Sequence, residues 1–187
     1  GMKVLKAFLD HGVSTAHLSG STGYGYGDIG RETLDAVFAS AFGAEDALVR
    51  HSFVSGTHAL TVGLFGLLRP GDTLLSLTGS PYDTLEEVIG IRDSGRNDGS
   101  LSDWGVRYRQ IGLKSGKIDL VEAADAAKSA AVAYIQRSRG YSLRPSLSVE
   151  EIAEAVRVVK ASNPGILVMV DNCYGEFTER AEPTEAG

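Results

Sequence analysis

Short hydrophobic runs alternate along the chain with longer segments in which hydrophobic residues recur every three or four positions. The short runs have the length of β-strands, and two of them, 131–135 and 166–170, are continuously apolar. Continuous apolar runs are typical of strands in a parallel sheet that is covered on both faces. The strands predicted in this way are 47–49, 73–77, 106–111, 131–135 and 166–170.

The periodic segments predict amphipathic helices. Hydrophobic residues share one helical face within 34–41, 60–67 and 149–159, and Gly43 is a suitable stop for the first of these. Ser148 with Glu151, and Thr84 with Glu87, each have the spacing of a capping box. The alternation of strands and helices predicts an α/β fold with a mostly parallel sheet and helices on both faces.

Two regions depart from the alternation. The pattern of residues 1–30 predicts a short helix over 4–9 followed by an arm. The pattern of residues 31–187 predicts a domain that contains the sheet. Residues 93–105 are rich in Gly, Ser, Asp and Asn, which predicts an exposed loop.

Composition narrows the possible functions. The 187 residues carry a net charge of −6 without a basic cluster, which argues against nucleic acid or an anionic membrane as a partner. No apolar run approaches the ~20 residues of a membrane span. The single cysteine, Cys173, excludes an internal disulfide and fits a cytoplasmic location. The four histidines have no metal-ligand spacing, so we expect no metal site.

Two glycine-containing motifs could bind an anion. Residues 25–30 match the dinucleotide pattern G-x-G-x-x-G, but residues 13–24 lack the buried strand that must precede it. Ser55, Gly56 and Thr57 stand at the predicted start of a helix, where free amides, a hydroxyl and a glycine can form a phosphate cradle. An ordinary helix cap with a glycine turn is the alternative for this second motif.

Polar residues follow three predicted strands at their carboxyl ends, where open α/β sheets bind ligands. Asp171 follows the most apolar strand and could pair with a protonated ring nitrogen, or be a loop cap. Arg137 and Arg139 could bind a carboxylate or phosphate, or form a surface pair. Tyr82 could stack on a flat ring or serve only in packing. Cys173 is interpreted as a buried thiol.

Five segments together resemble the aluminium-resistance protein family, a methionine γ-lyase-like and cystathionine β-lyase-related branch of the fold-type-I pyridoxal-phosphate enzymes. The resemblance covers nearly the whole chain. The segments are GYGYGDIGR at 23–31, VSGTH at 54–58, SPYDTLEEVIG at 80–90, IQRSRGY at 135–141 and VDNCYGEF at 170–177.

The resemblance implies a role for each candidate residue. Residues 55–57 match the phosphate-binding turn, Tyr82 the aromatic that stacks on the pyridine ring, and Asp171 the acid that pairs with the ring nitrogen. Tyr24 and Tyr26 match a segment that reaches the cofactor phosphate of a neighbouring subunit. The matches for Arg137 and Arg139 lie on a loop over the cofactor face. The implied cofactor is pyridoxal 5′-phosphate.

One family feature has no counterpart in this sequence. The lysine that forms the Schiff base follows the Asp171 motif in the family, whereas the six lysines here lie at 3, 6, 114, 117, 128 and 160. We therefore expect that lysine beyond Gly187, and we interpret the chain as an incomplete large domain, a fragment of a longer family member.

The resemblance implies carbon–sulfur bond cleavage in a small sulfur-containing amino acid, and we expect this chain alone to be inactive. A non-catalytic binding or interaction module is the alternative, with a nucleotide-binding Rossmann domain the third possibility. We also expect a homo-oligomer, a dimer or tetramer, with residues 23–31 at or near the interface.

Overall fold

The computed structural model describes residues 1–24, 26–92 and 99–187, which form two compact units, Gly1–Ser52 and Phe53–Gly187. The helices are α1 (Met2–Asp10), α2 (Ile29–Phe42), α3 (Gly56–Leu67), α4 (Asp83–Ile89), α5 (Leu120–Ala127) and α6 (Val149–Ser162). The strands are β1 (Thr73–Ser76), β2 (Arg107–Gln110), β3 (Leu113–Lys114), β4 (Lys117–Ile118), β5 (Val132–Gln136) and β6 (Leu167–Asp171). Short 3-10 helices span Thr15–Leu18 and Pro183–Glu185.

The second unit contains a four-stranded sheet in the order β2-β1-β5-β6, with every pair parallel. One face packs against α3 and α4 through residues such as Leu64, Leu74 and Leu85. The other face packs against α5 and α6 through residues such as Ala133 and Ile152. The predicted α/β fold, a parallel sheet with helices on both faces, is confirmed.

The central strand β5 explains why its sequence is continuously apolar. All five of its residues are buried, because helices cover both faces of the sheet. Leu74 on β1 and Tyr134 on β5 belong to the cluster on the α3–α4 face, whereas Ala133 and Ile135 belong to the opposite cluster. Successive side chains of a strand point to opposite faces. Tyr134 and Gln136 therefore share the α3–α4 face of the sheet.

Helix boundaries follow the local signals in most places. Gly43 ends α2 in the left-handed conformation, with φ of 64°. Ser148 and Glu151 form the predicted capping box of α6. The box predicted for Thr84 and Glu87 is wrong, because α4 begins at Asp83 with Tyr82 as its N-cap, and no cap side chain bonds there.

One further prediction is wrong and another is confirmed for most of its described residues. Residues 47–49 are not a strand, because the Val49 amide donates to the Asp35 carboxylate at 2.8 Å instead of to another strand. The predicted exposed loop is confirmed for most of its described part, 99–105, because Gly99 and residues 102–105 are exposed and none of these residues lies in a helix or strand. Ser100 and Leu101 are buried, and Leu101, 1% exposed, belongs to the core cluster beside α4. Residues 93–98 lie outside the described residues.

The first unit contains α1 and α2. Its small core consists of Ala7, Val37 and Ala41, with Val4 and Val13 packed against them. The predicted short helix over 4–9 is confirmed as Met2–Asp10. The division of the protein at residue 30 stays a prediction, and the compact units of the structure divide after Ser52.

Candidate functional site

The start of α3 lies at the carboxyl edge of the sheet. α3 leads through a short turn into the first residue of β1, so its amino terminus is at the opposite edge, where the parallel strands end. Ser55 caps the helix and its hydroxyl accepts the His58 amide at 3.1 Å. A Cβ built on Gly56 would meet no atom within 4 Å, so the backbone there faces open space. The first turn of a helix attracts anions, so this end can receive a phosphate.

Tyr82 is tied to two neighbouring elements. The Tyr82 amide donates to the side-chain oxygen of Gln136 at the end of β5, at 2.9 Å. The hydroxyl of Thr84, which follows Tyr82 by two residues, lies 3.0 Å from the Thr57 hydroxyl on α3. These contacts hold the beginnings of α3 and α4 together at the end of β5.

Asp171 is the last residue of β6 and lies opposite Gln136 in the strand register. Residues opposite each other on parallel strands point to the same face, so Asp171 faces the side of the sheet that carries α3 and α4. One carboxylate oxygen accepts from the Tyr134 hydroxyl at 3.2 Å. The other accepts from the Cys173 amide at 3.0 Å and lies 3.2 Å from the Cys173 sulfur.

The ionisable groups around Asp171 respond to its charge and to burial. Burial, and next the charge of Asp171, raise the pKa of Tyr134, so its hydroxyl stays protonated and donates. Burial is also the main cause that raises the pKa of the Cys173 thiol. The half-buried Asp171 therefore has two protonated neighbours.

The two arginines have different surroundings. Arg137 is 5% exposed, and its guanidinium donates to the Leu147 and Gly175 carbonyls, the Asn172 side chain and Glu179. A further bond reaches the Thr178 hydroxyl at 3.4 Å. The guanidinium is thus bonded within the chain, mostly to the loop after β6, and the predicted contact of Arg137 with a ligand stays a prediction.

Arg139 is exposed and lines a cavity of about 440 Å³ together with Tyr82, Tyr141 and Arg144. The Tyr82 and Tyr141 rings lie 5.7 Å apart between centroids. Arg139 is therefore the predicted arginine that lies at the same cavity as Tyr82.

Tyr24 and Tyr26 lie in the first compact unit and are 85% and 93% exposed. Gly25, the first glycine of the dinucleotide pattern, lies outside the described residues. Ahead of it the described residues form a 3-10 helix, Thr15–Leu18, and no strand. The structural context of a Rossmann site is absent from this described segment.

Sequence reasoning missed Tyr134 and Gln136 as site residues. Tyr134 was assigned only to the apolar strand 131–135, and Gln136 was named only within the segment 135–141, yet their polar atoms reach Asp171 and Tyr82. The side chains of a strand alternate between its two faces, and Tyr134 and Gln136 are separated by one residue, so both point to the same face. This alternation, on a strand that ends beside Asp171, was the signal that could have found them.

The comparisons with known proteins agree with this architecture. The family model described as methionine gamma-lyase matches residues 1–187. The chain is 52% identical over 188 residues to the uncharacterized protein YnbB of Bacillus subtilis strain 168, covering 99% of this chain and 44% of that protein.

This chain belongs to the methionine gamma-lyase family. Among solved structures, it is similar to the carbon-sulfur lyase involved in aluminum resistance from Clostridium novyi NT, with 50% identity and a TM-score of 0.94. That match covers 100% of this chain and 44% of that one. The pyridoxal-5′-phosphate-dependent protein YhfS from Escherichia coli shares the fold, with 21% identity, a TM-score of 0.67, and coverage of 91% and 42%. The chain thus spans less than half the length of each of these three proteins and has the fold of fold-type-I enzymes.

Residues 1–24, 26–92 and 99–187 contain neither a membrane-spanning helix nor a metal-binding cluster. No helix there is long and apolar enough to cross a membrane. The same part of the chain contains no group of three or more His, Cys, Asp and Glu residues that could hold a metal ion.

Proposed function

We propose that this chain supplies the cofactor-binding part of a pyridoxal-phosphate-dependent carbon–sulfur lyase. The observation that carries the proposal is the position of Asp171, on the sheet face and edge shared by Tyr82 and the start of α3. A half-buried carboxylate beside an open helix start suits a ligand with a protonated ring nitrogen and a phosphate.

The residues present fit such a cofactor. The free amides at Gly56 and Thr57 and the Ser55 hydroxyl would receive the phosphate, and Asp171 would pair with the ring nitrogen. Tyr82 would stack on the ring. When bound, pyridoxal phosphate supplies an electron sink for carbanion chemistry. In this role Asp171 would keep the ring nitrogen protonated, and the Tyr134 hydroxyl and Cys173 amide would keep the Asp171 carboxylate oriented.

We further propose that the substrate is a small sulfur-containing amino acid and that the reaction cleaves a carbon–sulfur bond. Membership of the methionine gamma-lyase family supports this class of reaction. Arg139, at the cavity that also holds Tyr82, is our candidate for contact with the substrate carboxylate.

We propose that the chain by itself does not catalyse the elimination. Elimination needs a base beside the substrate's α-carbon, a role that a cofactor-binding lysine performs in such enzymes. Four of the six lysines pair with carboxylates elsewhere: Lys6 with Asp10, Lys114 with Asp119, Lys117 with Glu151 and Lys128 with Asp125. Lys160 lies in the last turn of α6, and Lys3 lies on α1.

The cofactor proposal is tested by titrating the purified chain with pyridoxal phosphate and measuring its dissociation constant. We expect Asp171→Asn to weaken binding by about 10-fold or more, since a hydrogen bond to a charged group contributes ~1.5–3 kcal/mol. Asp125→Asn, at an exposed acid on α5, is the control and should bind like the unmodified chain. Equal affinity in the unmodified chain and Asp171→Asn would contradict the proposed role of Asp171.

Activity is tested separately with cystathionine and methionine as substrates, by measuring thiol release. Borohydride reduction followed by peptide mapping identifies any lysine that bonds covalently to pyridoxal phosphate. We expect neither turnover nor a single labelled lysine. One specifically labelled lysine accompanied by turnover would show that the chain is catalytically complete. A chain that binds no pyridoxal phosphate would support a non-catalytic binding or interaction module.

A further inference from the structure

The ring of Tyr134 packs among apolar side chains, and its hydroxyl makes one polar contact. Its side chain is fully buried in the cluster that includes Leu64, Leu74 and Leu85. The hydroxyl reaches the Asp171 carboxylate on the next strand at 3.2 Å. A phenylalanine would fill the same apolar space, and a buried hydroxyl needs a partner. Packing alone therefore does not account for the hydroxyl.

The second carboxylate oxygen of Asp171 is engaged from the other side. The Cys173 amide and sulfur both approach it, at 3.0 and 3.2 Å. Cys173 has a positive φ of 52°, which turns the backbone after β6 back toward the Asp171 side chain. Because each carboxylate oxygen accepts a hydrogen bond from a different donor, the rotation of the carboxylate about its Cβ–Cγ bond is fixed.

We propose that Tyr134 is a positioning residue that holds Asp171 in the orientation needed to receive the ring nitrogen of the cofactor. The inference rests on the proposed function, because it assigns Asp171 that partner. Tyr134 itself would contact neither the cofactor nor the substrate. It acts through one hydrogen bond, donated to a carboxylate that can only accept.

The raised pKa of Tyr134 supports this direction of donation. Burial and the adjacent Asp171 charge both disfavour the phenolate, so the hydroxyl keeps its proton across the pH range in which enzymes work. The Tyr134 hydroxyl is therefore the donor of this hydrogen bond.

The test compares two tyrosines of one sheet. Tyr134→Phe removes the hydroxyl beside Asp171 and retains the ring. Tyr108→Phe removes a hydroxyl on β2 that donates to Gln110 at 2.8 Å, and it serves as the matched control. Circular dichroism and melting curves establish that both variants are folded.

The first measurement needs no cofactor. Cys173 is the only cysteine, so its alkylation by iodoacetamide reports on one site. Burial and the Asp171 charge raise the pKa of the Cys173 thiol. Tyr134→Phe removes the bond to the other carboxylate oxygen, which would let the carboxylate rotate and loosen its contact with the sulfur. We expect alkylation to become about 3- to 10-fold faster in Tyr134→Phe and to be unchanged in Tyr108→Phe. Asp171→Asn removes the carboxylate charge itself and should therefore give the fastest alkylation.

The second measurement is the dissociation constant of pyridoxal phosphate, which we expect to rise by about 3- to 10-fold in Tyr134→Phe alone. Unchanged alkylation in a folded Tyr134→Phe overturns the inference, whether or not the chain binds cofactor. Faster alkylation with no effect on measurable cofactor binding also overturns the positioning role. If the unmodified chain binds no pyridoxal phosphate, the proposed function fails, while the alkylation rates still decide whether Tyr134 orients Asp171.

Discussion

The backbone amide of Tyr82 donates a hydrogen bond to the side-chain oxygen of Gln136 at 2.9 Å, across 54 positions of the chain. The backbone N–H of Gln136 in turn donates to the Thr78 hydroxyl at 3.1 Å. Gln136 is 6% exposed and lies opposite Asp171. One side chain therefore connects the start of α4 with the strand pair that carries Asp171.

Gln136→Leu should destabilise the protein through this connection. Leucine fills similar space but leaves the Tyr82 amide without its acceptor, which costs about 1–3 kcal/mol where the amide is buried. Urea denaturation measures the free energy of unfolding. Arg109→Leu, at an exposed position on β2, is the control and should change stability by less than about 0.5 kcal/mol. A Gln136→Leu protein as stable as this control would contradict the structural role of Gln136.

Ser148→Ala should lower the free energy of unfolding by about 1 kcal/mol. The Ser148 hydroxyl accepts the Glu151 amide at 3.1 Å, and the Glu151 carboxylate accepts the Ser148 amide at 2.9 Å. Alanine leaves one donor of the first turn unsatisfied. Ser129→Ala, at an exposed residue beyond α5, should be nearly neutral in the same denaturation experiment. Identical midpoints for the two variants would show that the cap does not stabilise α6.

Arg137→Met should destabilise the protein. The substitution leaves the Glu179 carboxylate, the Asn172 side chain and the Gly175 carbonyl without their buried donor. Because the Glu179 side chain is 38% exposed, water partly replaces the lost donor there, and we expect a total cost of about 1–3 kcal/mol. The matched variant is Arg157→Met, whose arginine is 74% exposed in a pair with Glu154 on α6, and we expect an effect below about 1 kcal/mol. Comparable melting temperatures for the two variants would refute this interpretation of Arg137.

Stability should fall in acid partly because of Asp35. The hydrogen bond from Arg50, at 2.6 Å, lowers the pKa of Asp35 below its ordinary value of 3.8, and the Val49 amide adds a further bond. Because the folded-state pKa is depressed, the stabilisation is present above pH 3.8 and is lost as pH falls through the folded-state pKa.

The measurement is the difference in unfolding free energy between the unmodified protein and Asp35→Asn from pH 7 to pH 3. We expect the difference to shrink below pH 3.8. The same comparison in an Arg50→Met background should show a smaller pH dependence, because the main cause of the shift is removed. A difference that stays constant down to pH 3 would contradict the assignment.

The chain should self-associate through its first unit. Tyr24 and Tyr26 are exposed, and α1 also presents Leu5, Phe8 and Leu9 to solvent, with Leu9 72% exposed. Exposed apolar side chains in one region are typical of interaction surfaces. We expect light scattering to give the mass of a dimer, and Leu9→Glu to shift the protein toward monomer. Val121→Glu, at an equally exposed position on α5, is the control. A monomeric unmodified chain would contradict the predicted homo-oligomer.

The sequence alone determined the architecture of the sheet-containing unit. Continuous apolar runs such as 131–135 identify strands covered on both faces, and local caps such as Ser148 determine where helices start. These signals depend on neighbours in the chain, so they can be read without the fold. Asp171 was found in the same way, because its position follows directly from the end of an apolar strand.

Tertiary structure decided which polar groups meet. Tyr134 and Asp171 are 37 residues apart, and only the parallel pairing of β5 with β6 brings the hydroxyl to the carboxylate. Arg137 has the sequence context of a ligand-binding residue, yet the loop after β6 folds over it and takes its donors. Residues 47–49 have a strand-like pattern, but Asp35 accepts the Val49 amide instead of a neighbouring strand. Hydrogen-bond partners of this kind are set by strand register and loop packing, which a pattern of hydrophobic and polar residues does not specify.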